Sequence, residues 1–142
     1  MSRFEKEYFC SFSFSDKEVD RYFQNALRDF KIAQTDPYAE VRFTYCYQTL
    51  IKSGIALIAK VGQVKVRSVA GHHIQVLTKM SKLLNNPDIL TIGNAMRMKR
   101  NLDLYSGGEF ISKKETGDYI HFTKQVIDQV GKVIKAGRGD RS

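Results

Sequence analysis

The chain is expected to fold as an all-α protein, an antiparallel bundle of about five helices, and three features predict this. Apolar residues recur at three- and four-residue steps in five stretches. Those stretches begin with capping-box or cap-then-proline signals, and short connections join them.

Residues 8–14, Tyr-Phe-Cys-Ser-Phe-Ser-Phe, alternate aromatic and small polar groups, as an extended segment over an apolar groove would. Residues 1–14 are therefore read as an N-terminal arm. Ser15-Asp16-Lys17-Glu18 has capping-box spacing, and Val19, Tyr22, Phe23, Ala26, Leu27, Phe30 and Ala33 continue a first helix over 16–34. Asp36-Pro37 supplies an N-cap and a proline at the first helical position of a second helix over 37–61. That helix, rich in Val, Ile, Leu and aromatic residues, is expected to be central, with Gly62 as its left-handed cap. Residues 63–70 alternate Val64 and Val66 with Lys65 and Arg67, but a lone strand would have no partner, so a basic loop is expected.

Gly71-His72-His73 opens a third helix carrying Ile74, Val76, Leu77, Met80, Leu83 and Leu84. Asn86-Pro87 repeats the cap-then-proline signal for a fourth, which Gly107-Gly108 ends. Ser112-Lys113-Lys114-Glu115 is a second capping-box sequence, and Tyr119, Ile120, Phe122, Val126, Ile127, Val130, Val133 and Ile134 carry a final helix to about 136. The bundle thus spans 15–136 and the tail, 137–142, is expected to be flexible. The tail's Arg-Gly-Asp triplet is read as coincidence.

The chain has 142 residues, enough for one core. It carries 23 Lys and Arg against 15 Asp and Glu, a net charge of +8 that favours polyanionic partners through counterion release. No apolar run approaches the ~20 residues of a membrane span, and the charged first residues do not resemble a signal peptide, so a cytoplasmic protein without membrane contact is expected. Cys10 and Cys46 lack CxxC spacing and are read as reduced, with Cys46 in the core.

Residues 96–105, Met-Arg-Met-Lys-Arg-Asn-Leu-Asp-Leu-Tyr, gather the most chemistry. Arg97, Arg100, Asn101 and Tyr105 share a helix face, giving two guanidiniums, an amide and a phenol on one rigid support. Such a set suits phosphate, because guanidinium binds it bidentately and the amide and phenol add hydrogen bonds. The same cations would also ease the helix C-terminus by charge–dipole attraction alone. Met96, Met98, Leu102 and Leu104 are expected to pack inward. His72 and His73 are possible further phosphate contacts; adjacent on a helix, they diverge by about 100° and do not suit one metal ion, so no metal or other cofactor is expected. His121, between Ile120 and Phe122, is read as a partly buried structural residue. Gly-rich phosphate loops, HExxH and paired catalytic carboxylates are lacking.

A long apolar second helix, Gly-His-His at the start of the third, and Arg100-Asn101 followed by Tyr105 before a glycine turn resemble the HEPN superfamily (higher eukaryotes and prokaryotes nucleotide-binding). The resemblance covers residues 15–136. Active members of that superfamily are dimeric, metal-independent endoribonucleases whose hallmark is Arg, a polar residue, and a His four to six positions beyond the Arg. Arg100 and Asn101 match the first two elements, and Tyr105 stands where the His would be. An unperturbed phenol, with a pKa near ~10, is a poor base.

The resemblance accordingly implies a dimeric protein that binds RNA or a nucleotide in a cleft lined by Arg97, Arg100, Asn101 and Tyr105. It implies a place in a toxin–antitoxin or defence system, with a nucleotidyltransferase or antitoxin as partner. One alternative is an endoribonuclease using Arg100, Asn101 and Tyr105 or a histidine; another is a helical adaptor that holds a partner protein.

Overall fold

The computed structural model describes residues 4–106 and 111–139, and the side chains of 102–106 and 137–139 lie outside the described set. Five helices carry the fold: α1 (Asp16–Thr35), α2 (Ala39–Gly62), α3 (His72–Leu83), α4 (Asp88–Ser106) and α5 (Lys113–Gly139). Two short strands, β1 (Phe9–Ser11) and β2 (Val64–Val66), complete it. The all-α bundle expected from the periodicity is the observed architecture.

α2 is the central helix, packing against α1, α3, α4, α5 and β2. Its enclosed residues include Phe43, Cys46, Leu50, Ala56, Leu57 and Ile58, so removing their apolar surface from water anchors every neighbouring element. Gly54 marks the closest approach of α2 to α3: a Cβ there would meet the Met80 sulfur and come within 2.6 Å of Val76 Cγ1.

α1 begins with the expected capping box. Glu18 N–H donates to Ser15 Oγ at 3.1 Å, and Ser15 N–H donates back to Glu18 Oε1 at 3.0 Å. Its inner face is Val19, Phe23, Ala26, Phe30 and Ala33, together with the buried Asp29, whose carboxylate meets Lys52 Nζ at 2.6 Å. The start of α2 differs from expectation. Asp36 accepts the Tyr38 N–H at 2.9 Å in a local turn, and the helix starts two residues beyond Pro37, at Ala39.

At the other end of α2, Gly62 is still helical and Gln63 is the left-handed residue, with φ 50°. The missing Cβ of Gly62 serves instead for packing, because one would lie 2.5 Å from the Phe4 ring. Gln63 earns its place through its side chain, which accepts the Phe14 N–H at 2.7 Å and donates to Ala59 O at 3.0 Å.

Residues 64–66 form a strand, where a loop was expected, because the N-terminal arm is the partner. β1 and β2 pair antiparallel with Phe9 opposite Val66, Cys10 opposite Lys65 and Ser11 opposite Val64. Flanking bonds from Phe12 N–H to Gln63 O at 3.0 Å and from Arg67 N–H to Tyr8 O at 2.7 Å extend the pairing. Lys79 fastens the arm further: its ammonium is 2.9 Å from Glu5 Oε1 and lies over the rings of Phe4 and Phe9.

α3 and α4 pack together as a hairpin whose turn includes Asn85 at φ 50°. The Asn86 amide reaches across to Gln129 of α5 at 3.1 Å, while Ser81 Oγ accepts the Leu90 N–H at 2.8 Å. In α5 the Ser112 hydroxyl accepts the Glu115 N–H at 3.0 Å, and the Glu115 carboxylate binds Lys99 of α4 at 3.0 Å. The last helix continues to Gly139, beyond the expected end at 136; Asp140 onward, like the Gly107-Gly108 turn, lies outside the described residues.

Two side-chain expectations are corrected. Met98 is 55% exposed rather than packed inward, and His121 is exposed, its imidazole turned toward Gln125 at 3.5 Å. Met96 is fully buried as expected. Cys10 is exposed and Cys46 buried, both as free thiols. Among the described residues, no helix is long and apolar enough to cross a membrane.

Candidate phosphate and nucleotide site

The hairpin of α3 and α4 puts the start of one helix beside the far half of the other. Helices rise about 1.5 Å per residue, so the twelve residues of α3 are matched by the first twelve of α4, which end at Lys99, next to Arg100. A cavity of about 370 Å³ opens at that level, lined by residues 68–74 and by Arg97, Arg100 and Asn101. The residues singled out in α4 and the two adjacent histidines therefore share one cavity. Tyr105 belongs to α4 by its backbone, but its side chain lies outside the described residues, as do those of Leu102 and Leu104.

Gly71 makes the entry to α3 possible. Its φ of 82° is left-handed, a conformation that a residue with a Cβ adopts only with strain. No side chain caps this helix start; its first N–H, that of His72, donates to the Val69 carbonyl at 3.1 Å, and the positive end of the helix dipole lies among the residues that line the cavity. Arg97 directs Nε to Asn94 Oδ1 at 3.0 Å, which fixes the guanidinium along the helix. Arg100 and Asn101 are exposed.

The two imidazoles are held by different partners. His72 Nδ1 lies 2.7 Å from the Val69 carbonyl, which also accepts the His72 backbone N–H at 3.1 Å. A carbonyl only accepts, so Nδ1 carries hydrogen and the neutral ring leaves Nε2 with a free lone pair. His73 Nδ1 lies 2.8 Å from the Tyr47 hydroxyl. Burial pushes the Tyr47 phenol up to about 12, against the opposing charges of Arg100 and Arg97. It stays protonated, and a protonated phenol can either donate to Nδ1 or accept a hydrogen from it.

Burial, then the charges of His72, Arg100 and Arg97, bring His73 down to about 4, so it is neutral at pH 7. The two rings meet edge to face with centroids 4.3 Å apart. Among the described residues, no group of three or more His, Cys, Asp or Glu is placed to hold a metal ion.

Two further depressions adjoin the cavity. One, of about 270 Å³, lies on the α2 side of His73 and Arg100 and includes Tyr47, Gln48 and Lys52. The other, of about 250 Å³, is lined mainly by Phe14, Tyr22, Ile55, Val64 and Val66 and shares Ser68 and His72 with the first. No described carboxylate lines any of the three.

Sequence reasoning missed Tyr47, whose helical spacing reads as core; the usable signal was a phenol inside an otherwise apolar helix, since a buried hydroxyl needs a partner. Ser68 and the aromatic recess were missed because β1 and β2 bring them together from distant parts of the chain. No family model, curated protein or solved structure matches this chain, so the HEPN resemblance rests on the residues quoted for it.

Proposed function

We propose that the protein binds RNA or a nucleotide through phosphate at the cavity between α3 and α4. The observation that carries this reading is the convergence of Arg97, Arg100 and Asn101 on the uncapped start of α3 in a cavity that no described carboxylate lines. Guanidiniums and the positive end of a helix dipole attract the same oxyanions, and a net charge of +8 draws polyanions toward them. His72 and His73 add neighbouring hydrogen-bonding groups, and Tyr105 remains the proposed fourth member of the α4 face.

The HEPN resemblance extends the proposal to a cytoplasmic homodimer with both α4 faces in one cleft. It extends also to a nucleotidyltransferase or antitoxin partner in a toxin–antitoxin or defence system. A sedimentation run with only ~16 kDa species at tens of micromolar would remove the shared cleft. The primary test is anisotropy of a labelled single-stranded RNA across a salt series. Salt-dependent binding weakened by Arg100→Ala supports the reading; affinity indifferent to that substitution sinks it and favours an adaptor that holds a protein.

A second reading, metal-independent ribonuclease, is favoured by the bare Nε2 of His72 beside Arg100. In that reaction His72 Nε2 takes the ribose 2′-OH proton and the 2′ oxygen attacks the adjacent phosphorus. The bond from phosphorus to O5′ breaks, O5′ takes a proton from water, and a 2′,3′-cyclic phosphate and a 5′-hydroxyl result. Arg100 stabilises the charge on the phosphorane oxygens. Incubation of labelled RNA in EDTA with the protein, His72→Ala and Arg100→Ala decides it: cleavage lost in both variants establishes the chemistry, and intact RNA throughout leaves binding alone.

A further inference from the structure

We infer that the apolar recess beside the cationic cavity seats the base of the nucleotide whose phosphate that cavity holds, an inference that rests on the phosphate reading above. The two hollows are contiguous, sharing Ser68 and His72 as a common wall. Their chemistry is complementary in the way a nucleotide is divided. One end presents Arg97, Arg100, Asn101 and the start of α3 to an anion, and the other presents rings and branched aliphatic side chains to a flat, weakly solvated face.

Tyr22 and Phe14 stand edge to face, with ring centroids 5.6 Å apart and an interplanar angle of 65°, so together they form a corner that a planar ring system can fill. Asn25 lies at the same recess with both donor and acceptor atoms for a base edge.

The recess is not a second anion site, although Lys52 and Lys65 line it. Lys52 Nζ is 2.6 Å from the buried Asp29 carboxylate, which neutralises it. Lys65 Nζ lies over the Phe12 ring, 5.1 Å from the centroid. With Lys52 paired and Lys65 held over Phe12, the rest of the lining is mostly apolar, with Asn25, Ser68 and His72 as its polar groups. The recess volume of about 250 Å³ suits one ring system rather than an acyl chain.

Because the chain contains no tryptophan, the recess can be given a reporter of its own. Tyr22→Trp keeps an aromatic ring in the corner and supplies the chain's only indole. This variant and the unmodified protein are titrated with adenosine monophosphate, ribose 5-phosphate and inorganic phosphate, by calorimetry and by indole emission. The expected result is that adenosine monophosphate binds about tenfold or more tightly than ribose 5-phosphate, as one stacked base supplies. It alone should quench the indole, while Arg100→Ala weakens both organic ligands alike.

Equal affinity of the two in the unmodified protein, without quenching and with the Arg100 dependence intact, overturns the base seat and leaves the phosphate site standing. Binding of neither ligand, or binding indifferent to Arg100→Ala, overturns the phosphate reading and the base seat with it. The calorimetric comparison on the unmodified protein requires no variant to fold.

Discussion

The guanidinium carbon of Arg100 lies 5.4 Å from the centroid of the Tyr47 ring, and the hydroxyl of that same ring is held 2.8 Å from His73 Nδ1. A surface cation, a buried phenol and a half-buried imidazole thus form one chain running from the cavity into α2. Perturbing either end is felt at the other.

Arg100→Ala is expected to lower the affinity for single-stranded RNA about tenfold, the worth of one charge-assisted contact. The slope of log K against log salt should become shallower by about one. Removing this positive charge also removes one of the influences that hold His73 down, so its titration midpoint should rise. Proton NMR of the imidazole against pH reads this directly, and an unmoved midpoint would break the electrostatic link.

His73 makes stability depend on acid. Its folded value of about 4 lies below the ordinary 6.5, so between those two values the unfolded chain binds the proton that the folded chain refuses. Stability is full above about pH 6.5, falls as pH drops toward 4 and levels off below it. The loss should be about 1–2 kcal/mol once solvent screening of this half-exposed ring is allowed for. Denaturant titrations of the protein and of His73→Asn over that range check it: the variant's profile should lack this component.

Tyr47→Phe keeps the ring under Arg100 and deletes the hydroxyl. The expected cost is about 0.5–1.5 kcal/mol, one hydrogen bond to a partly buried acceptor. The spectroscopic consequence is more specific: without the phenol, His73 Nδ1 has no partner to fix which ring nitrogen carries the hydrogen. Nitrogen shifts of the two ring atoms should therefore converge in the variant and stay apart in the parent.

Two glycine substitutions should move stability in opposite directions. Gly54→Ala forces a methyl group into Met80 and Val76 at the crossing of α2 and α3, costing about 1–3 kcal/mol. Gly117→Ala, at an exposed position in α5 where a Cβ meets nothing within 4 Å, should stabilise by about 0.5–1 kcal/mol. Thermal melts of the pair test whether α2 and α3 are packed as closely as described.

Much of the helical fold could be read from local chemistry. Ser15 and Glu18 mark the start of α1 by themselves, and the unusually apolar composition of α2 places it at the centre. The strands escaped notice because each is three residues long and their pairing joins Phe9 to Val66 across most of the first half of the chain. Pairing partners that distant leave no local signature.

In the site, Arg97, Arg100 and Asn101 were visible as a helix face, whereas their association with His72 and His73 depends on how α3 and α4 fold back on each other. The length of α3 carries that information, since counting the same rise along α4 arrives at Lys99, between Arg97 and Arg100. Tyr47 became meaningful only when α3 delivered an acceptor to it.

The small sheet has a consequence for the order of events. Arg67 is tied to Tyr8, and the wall of the cavity, residues 68–71, follows directly after it. A peptidase that trimmed the segment before Phe12 would therefore loosen the cavity wall without removing any residue that lines it. During synthesis, too, β1 must wait for residues 64–66 before it has a strand to pair with.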